Sequence, residues 1–397
     1  MTPKVLPLDE EWMRETMLKL LVTPSPTGRT DQIMQLLGET LVEIGIPFEL
    51  TRRGALLATL PGRRRLPARA VVVHADTIGM AVRERKPNGR LRVVPIGTHS
   101  ARFSEGARVT IFTDDPTVSY SGTVLPRKAS GHAYNDEVDS QGIGWEHVEV
   151  RVDEPASTAA DLAALGIELG DFVAHHALPE ITAGGFVKSR HLDDKAGVAA
   201  ALAAFKAINE VGVELPITSH LLITIAEEVG HGASHGLHAD VAEMVSIDSA
   251  VCAPVHESRE TGVTVAMQDM TGPFDFHLTR KLLALCRDHG LEHRRDVFDH
   301  YRSDVAAAIE AGAEMRAALI GFGTDATHGH ERTTLNAVRT VAELTTLYLQ
   351  SELTFQDWDR RRLGDLADFP HEDQPAPVQK TVAGPDDDTS SGPVGAR

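Results

Sequence analysis

Three apolar runs that stop at carboxylates constrain this chain more than any other feature. Leu221-Leu222-Ile223-Thr224-Ile225-Ala226 ends at Glu227-Glu228, followed by Val229-Gly230. Val71-Val72-Val73 ends at His74-Ala75-Asp76, and Met244-Val245-Ser246-Ile247 ends at Asp248. A short run that is apolar on both faces suits a strand covered on both sides, as in a parallel sheet. Acidic groups at the ends of such strands are costly to bury unless something cationic meets them. A further pair, Asp193-Asp194, sits in His191-Leu192-Asp193-Asp194-Lys195 just before a helical stretch, and a helix N-terminus tolerates anionic side chains. Ligands of open α/β sheets bind beyond the carboxyl ends of the strands. The clusters therefore read as one carboxylate-rich metal site.

The rest of the chain supports an α/β fold with a mixed, mostly parallel sheet flanked by helices. Helical spacing over 9–22 and 31–44 is split by the turn-forming Thr23-Pro24-Ser25-Pro26-Thr27-Gly28, and strands are predicted near 55–60 and 70–75. From 78 to 184 the texture changes to short β-like runs at 90–94, 108–112 and 147–152, with one short helix at 156–165. Helix and strand then alternate again: helix 196–208, strands 219–226, 244–248 and 262–267, helix 274–289, strands near 297–299 and 317–322, and helix 337–353. The expected organisation is a first catalytic part over 1–77, an inserted β-rich domain over 78–184 and a second catalytic part over 185–363. The Pro-, Gly-, Asp- and Ser-rich 364–397 is expected to be a disordered tail. Gly321-x-Gly323 is read as a tight turn and Arg63-Arg64-Arg65 as a short basic turn.

Composition narrows the function. The chain has 397 residues, enough for a large core, and a formal charge of −18 that argues against nucleic acid or an anionic membrane surface as partner. Cys252 and Cys286 are its two cysteines, which excludes a disulfide framework and suits a reducing cytoplasm. Residues 1–30 lack a signal pattern, and no stretch approaches the roughly 20 apolar residues of a membrane helix. A cytoplasmic protein is expected.

Hard divalent cations take carboxylate oxygens, and imidazole nitrogen suits zinc or cobalt. A His-x-Asp step on a strand places both side chains on one face, where Asp76 can orient His74. Adjacent carboxylates beside a metal divide naturally into one ligand and one base. No Gly-x-Ser-x-Gly elbow and no phosphate-binding Gly-x-x-x-x-Gly-Lys loop is present. Taken singly, each motif has a plainer reading: a surface pair, an N-cap, or a solvated loop.

Taken together and in order, His74-Ala75-Asp76-x-x-Gly79, Leu192-Asp193-Asp194-Lys195-Ala196-Gly197, Glu227-Glu228-Val229-Gly230 and Ile247-Asp248 resemble the dinuclear metallo-aminopeptidases of the glutamyl-aminopeptidase/TET type, in metallopeptidase clan MH. The resemblance spans roughly residues 9–355. It implies a phosphorylase/hydrolase-like aminopeptidase fold with an inserted β-barrel-like domain, where Val94-Pro95-Ile96-Gly97 is similar to a family stretch. It implies two divalent metal ions per subunit, zinc, cobalt or manganese. His74 becomes a ligand with Asp76 as its orienting partner, Asp193 the bridging ligand, Glu227 the general base, and Glu228 and Asp248 ligands of one metal each. It also implies homo-oligomers from dimers up to dodecamers, and short peptides or dipeptides as substrates.

The sequence departs from this pattern in two places. The family's last ligand is a histidine in an Arg-Tyr-x-His-Ser-Pro stretch, replaced here by Gly323-Thr324-Asp325-Ala326-Thr327-His328-Gly329-His330-Glu331-Arg332. His328 is the choice, because the residues after it step toward an acidic position and a helix, and His330 is the alternative. Thr77 stands where a Glu commonly follows the His-x-Asp. That variant resembles a bacterial branch linked to the osmolyte N-acetylglutaminylglutamine amide. Besides an aminopeptidase, the readings are thus a deacylase or amidase acting on a blocked dipeptide, and a non-catalytic metal-binding scaffold.

Overall fold

The computed structural model describes residues 2–355, so the tail expected over 364–397 lies outside the described residues. A 12-stranded mixed sheet forms the body. Its centre is parallel: Leu215–Thr224, Gly62–His74, Val241–Cys252 and Arg316–Asp325 lie side by side in that order. Antiparallel strands extend it on either side, Leu56–Leu60 and Phe48–Leu50 at one edge, Glu331–Thr334 and Phe186–Ser189 toward the other.

The apolar runs are strands because both of their faces are covered. Val71 and Val73 enter one core with the helices Glu10–Val22, Leu192–Val211 and Leu335–Gln350, while Ala70 and Val72 enter the core of the opposite face. The two-residue period of a strand sends alternate side chains to opposite sides. Each fully buried Val or Leu stabilises the fold by about 1.5–3 kcal/mol.

Between the first and second of these parallel strands in the chain, a separate six-stranded barrel closes in the order Gly79–Arg85, Arg90–Ile96, Val148–Val152, Ser119–Pro126, Arg108–Phe112, Phe172–His175. It has its own core of Met80, Val82, Leu91, Val93, Val109 and Val173. Closure leaves no strand edge unpaired. The expected short helix is Ala159–Ala164, begun by a reciprocal cap between Thr158 and Asp161. Two single helical turns, Gly131–Tyr134 and Glu137–Ser140, were not expected. Four residues are too few to show a helical period.

Three expectations need correction. Arg63, Arg64 and Arg65 belong to the strand Gly62–His74, held by parallel pairing with Leu215–Thr224 and by ion pairs of Arg63 and Arg64 with Glu352. The strand expected at 297–299 is His293–Val297. Gly321 and Gly323 are not a turn but lie inside the strand Arg316–Asp325, paired with Asp248 and Ala250. Their lack of a side chain serves close backbone approach. A Cβ at Gly323 would overlap the Arg259 carbonyl, and one at Gly321 would sit 2.5 Å from the Asp248 carbonyl oxygen.

Gly323→Ala should therefore lower stability by about 2–3 kcal/mol, in the overpacking range. The measurement is a shift of the urea midpoint at unchanged slope.

Candidate metal centre

Sheet register assembles the site. Thr224 pairs with His74 across the first two parallel strands, so the chain after each emerges at the same end. His74 ends its strand, and Glu227-Glu228 form a single 3-10 turn just past theirs. Asp248 differs from expectation: it lies inside Val241–Cys252, paired with Gly321 on one side and two residues past the last pairing with Gly62–His74, that of Ser246 with Val72, on the other. Asp193 and Asp194 depart from helical dihedrals at the head of Leu192–Val211, which leaves their carboxylates facing the sheet instead of following the helix. His328 comes from the hairpin turn between Arg316–Asp325 and Glu331–Thr334 and has a left-handed φ of 62°.

The two imidazoles are held alike. His74 Nδ1 is 3.0 Å from the Asp76 carbonyl oxygen, and His328 Nδ1 is 2.7 Å from that of Thr98. A carbonyl only accepts, so each Nδ1 carries the hydrogen and each Nε2 is turned to the carboxylates. His74 Nε2 lies 3.1 Å from Asp193 Oδ1 and 3.8 Å from Glu227 Oε2. His328 Nε2 lies 3.7 Å from Asp193 Oδ2 and 3.4 Å from Glu228 Oε2. Asp193 thus offers one oxygen to each imidazole. His74, Glu227 and Asp248 bring ligand atoms within 4.8 Å of one another, as do His74, Asp193 and Glu228.

Asp76 behaves differently from the expected orienting carboxylate. Its backbone carbonyl, not its side chain, fixes His74, and Oδ1 stands 3.7 Å from Nδ1. The carboxylate instead accepts from the backbone N–H of Glu227 at 3.1 Å and of Glu228 at 3.4 Å, and from Thr27 Oγ1 at 2.6 Å. It therefore sets the turn that aims the glutamate pair.

Electrostatics show what the site lacks. Burial, with repulsion from Asp248 and neighbouring acids, pushes Glu227 well above the usual carboxylate range, and burial with Asp193 does the same to Asp248. Burial pushes Glu228 up to about 7. Burial opposes charge on both imidazoles, but the hydrogen bond to Asp193 and the charge of Glu227 raise His74 well above its usual value. Glu228 and Asp193 likewise outweigh burial and hold His328 at about 9. Among the described residues no lysine or arginine pairs with Asp193, Glu227, Glu228 or Asp248. The buried Lys195 Nζ donates instead to the Thr23 carbonyl. Asp194 Oδ1 is buried without a hydrogen-bond partner. Clustered buried anions facing two imidazole lone pairs fit divalent cations, with hard oxygen and borderline nitrogen donors in one shell.

Several supporting residues escaped the sequence reading. Glu331 Oε1 accepts from the His328 N–H at 2.9 Å and Oε2 from the Asp193 N–H at 3.2 Å, clamping both backbones; burial pushes it up to about 8. Asp304, pushed by burial to about 6, accepts from Thr224 Oγ1 and from Ala233 N–H behind the glutamates. Ser303-Asp304 looks like an ordinary helix cap in sequence, and only the fold brings it to the site. Ser249 Oγ donates to Asp193 Oδ2 at 2.7 Å. Thr98 belongs to the loop after the barrel strand Arg90–Ile96, so the insert supplies part of the site. Gly97, at φ 78°, allows this approach: a Cβ there would lie 2.9 Å from Ile78 and 3.4 Å from the Glu228 carbonyl oxygen. His330 is exposed. A cavity of about 1160 Å³, with Leu66, His235, Phe274 and Met315 in its lining, includes none of the seven site residues named from the sequence.

In metal-free protein the raised carboxylates and imidazoles bind more protons folded than unfolded. Stability should then fall as pH rises from about 4.5 toward 9, through the folded values of Glu228 and His328. Melting of chelator-treated protein should accordingly drop between pH 6 and 9. Added divalent metal should flatten that slope, since it displaces the protons.

The M42 glutamyl aminopeptidase family model matches residues 54–344. The putative aminopeptidase YhfE of Bacillus subtilis is 36% identical over 339 residues, covering 85% of this chain and 97% of that protein. An aminopeptidase from the archaeon Desulfurococcus kamchatkensis superposes with TM-score 0.78 at 19% identity, covering 90% and 99% of the two chains. The TET1 peptidase of Pyrococcus horikoshii, which can assemble into a tetrahedron or a large octahedral shell, superposes with TM-score 0.74 at 21% identity, covering 85% and 99%. The fold is theirs, and the chain belongs to the M42 glutamyl aminopeptidase family and is a metallo-aminopeptidase.

Proposed function

We propose that this chain removes N-terminal residues from short peptides or dipeptides at a dinuclear centre. The observation that carries the reading is the paired imidazole arrangement, with both Nε2 atoms facing opposite oxygens of Asp193. In this reading His74, Asp193 and Asp248 hold one divalent cation, and Asp193, Glu228 and His328 the other. The ions, zinc, cobalt or manganese, would polarise the scissile carbonyl and lower the pKa of the attacking water.

The chain's own residues do the rest. Glu227 is the base: its side chain is 13% exposed against 3% for Glu228, so it meets water while its neighbour is enclosed. Burial raises its pKa well above the usual carboxylate range, which makes it a stronger proton acceptor. As water oxygen bonds to the carbonyl carbon, Glu227 takes its proton; as the C–N bond breaks, Glu227 delivers that proton to the leaving amine. The Asp76 carboxylate fixes the turn that aims Glu227 and Glu228. Glu331 couples the His328 and Asp193 backbones.

The barrel over 78–184, by likeness to the shell-forming TET1 peptidase, is proposed to drive homo-oligomerisation beyond its Thr98 contact. No described helix is long and apolar enough to cross a membrane. Both cysteines are free, in keeping with the proposed cytoplasmic location. Thr77 in place of the Glu common there, together with the atypical His328 segment, motivates a second reading in which an N-blocked dipeptide osmolyte is the substrate.

Hydrolysis of an aminoacyl-nitroanilide and dipeptide panel with zinc, cobalt or manganese tests the main reading; absence of turnover on every member sinks it. Free-amine and N-acetylated dipeptides compared by mass spectrometry separate the two substrates. Glu227→Gln should retain metal and lose about 10²- to 10⁴-fold in kcat. His328→Ala should lose one of two metals, whereas His330→Ala keeps both.

A further inference from the structure

Three segments that are distant in the chain meet at the turn that carries His328, and one side chain joins them. The turn has an unfavourable backbone. Ala326 at φ 56° and His328 at φ 62° are both left-handed without being glycine, a conformation that persists only where the surroundings hold it. The turn's own hydrogen bond, from Gly329 N–H to the Ala326 carbonyl at 3.0 Å, closes it at one point. Glu331 and the Thr98 carbonyl restrain His328 itself.

Arg190 supplies a further tie. It directly follows the strand Phe186–Ser189, whose Ser189 pairs with Glu331, so it leaves the sheet where the His328 turn enters it. Its backbone N–H donates to the Ala177 carbonyl at 2.9 Å, which fixes where the side chain starts. The guanidinium donates through Nη1 to the Gly329 carbonyl at 3.4 Å and through Nη2 to the Phe103 carbonyl at 2.7 Å. Phe103 ends the single turn Ala101–Phe103 on the barrel loop that also carries Thr98, and its ring lies against the His328 turn: a Cβ on Gly329 would be 3.4 Å from it. Both acceptors are backbone carbonyls on separate segments. A planar guanidinium fork can span them, and a lysine ammonium cannot. Asp193 stands three residues after Arg190, so one side chain links the approach to that carboxylate, the turn of His328 and the barrel.

We propose that Arg190 is a positioning residue for the metal on the His328 side: it holds the left-handed turn against the barrel loop, so that His328 Nε2 stays turned to Asp193 and Glu228. The inference rests on the two-metal reading, in which His328 is a ligand. Arg190 acts through the Gly329 carbonyl and touches none of the proposed ligands. Without this tie the turn relaxes toward ordinary dihedrals and the imidazole withdraws from one ion. The His74, Asp193 and Asp248 set stays in place. Partners that orient a metal ligand contribute about 10- to 100-fold in metal affinity.

The test uses the full-length protein and its Arg190→Met variant, which keeps an unbranched side chain and loses the donors. Chelator-treated protein is titrated with zinc by calorimetry, and the zinc retained after dialysis is counted. Wild type should take up two ions. Arg190→Met should bind one of them as wild type does and the other about 10- to 100-fold more weakly. Adding Ala326→Gly, which accepts a left-handed φ without cost, should recover about 5- to 30-fold of that loss. Unchanged affinity at both sites overturns the proposal. So does equal weakening of both, which would make Arg190 a general support of the fold, and so does a loss that Ala326→Gly leaves untouched. If Arg190→Met does not fold, Arg190→Lys keeps the charge without spanning both carbonyls and must show the same selective weakening; unchanged zinc binding overturns the proposal. Two ions in wild type with an unaffected variant sink the role of Arg190 alone. A wild type that binds fewer than two ions, or a His328→Ala variant that keeps both, sinks the two-metal reading and this proposal with it.

Discussion

Everything at this site depends on carboxylates buried together with no lysine or arginine among the described residues to meet them. Asp193, Glu227, Glu228 and Asp248 stand around two imidazoles whose other nitrogens are committed to backbone carbonyls. Removing unpaired charge from water is costly, and a protein interior tolerates it only where protons or cations compensate. The fold therefore stores a demand for positive charge at one end of its sheet. The raised pKa values of Glu228 and His328 are two expressions of it: the acid keeps a proton, and so does the imidazole.

The sheet makes this concentration of charge possible by being well built elsewhere. Four parallel strands with both faces covered bring their carboxyl ends to one line, so residues far apart in the chain become neighbours without any local adaptation. Local adaptation is reserved for the backbone around the ligands. Gly321 and Gly323 give way to neighbouring backbone, and Glu331 holds the turn of His328 against the Asp193 loop. The barrel is part of the same arrangement, since its Thr98 carbonyl sets the tautomer of His328. A body and an insert with separate cores thus meet at the one place where the chemistry is proposed to occur.

Legibility followed the range of the interactions. Apolar runs ending in acids were plain, because burial on both faces leaves a pattern within a few residues. Barrel strands such as Arg108–Phe112 and the helix Ala159–Ala164 were visible for the same reason. Gly321 and Gly323 were misread as a turn, because the Asp248 and Arg259 carbonyls that need their space are distant in sequence. Asp76 was assigned the right neighbourhood with the wrong atom: the side chain was expected on His74, but the backbone carbonyl is there and the carboxylate turns to Glu227 and Glu228.

By itself the sequence determined which residue types crowd the strand ends and in what order, and so the class of chemistry: oxygen-rich metal binding with a carboxylate to spare. That is local information, carried by hydrophobic runs and the polar groups that interrupt them. Only the tertiary structure decided where those groups stand. It turned His328 toward the carboxylates and left His330 exposed, gave Asp193 an oxygen for each imidazole, and left the Glu227 side chain wetter than that of Glu228. It also brought Glu331 and Thr98 to the centre. The reason is physical: tautomer, solvent access and charge repulsion depend on distances between distant segments, and those distances exist only once the sheet has set its register.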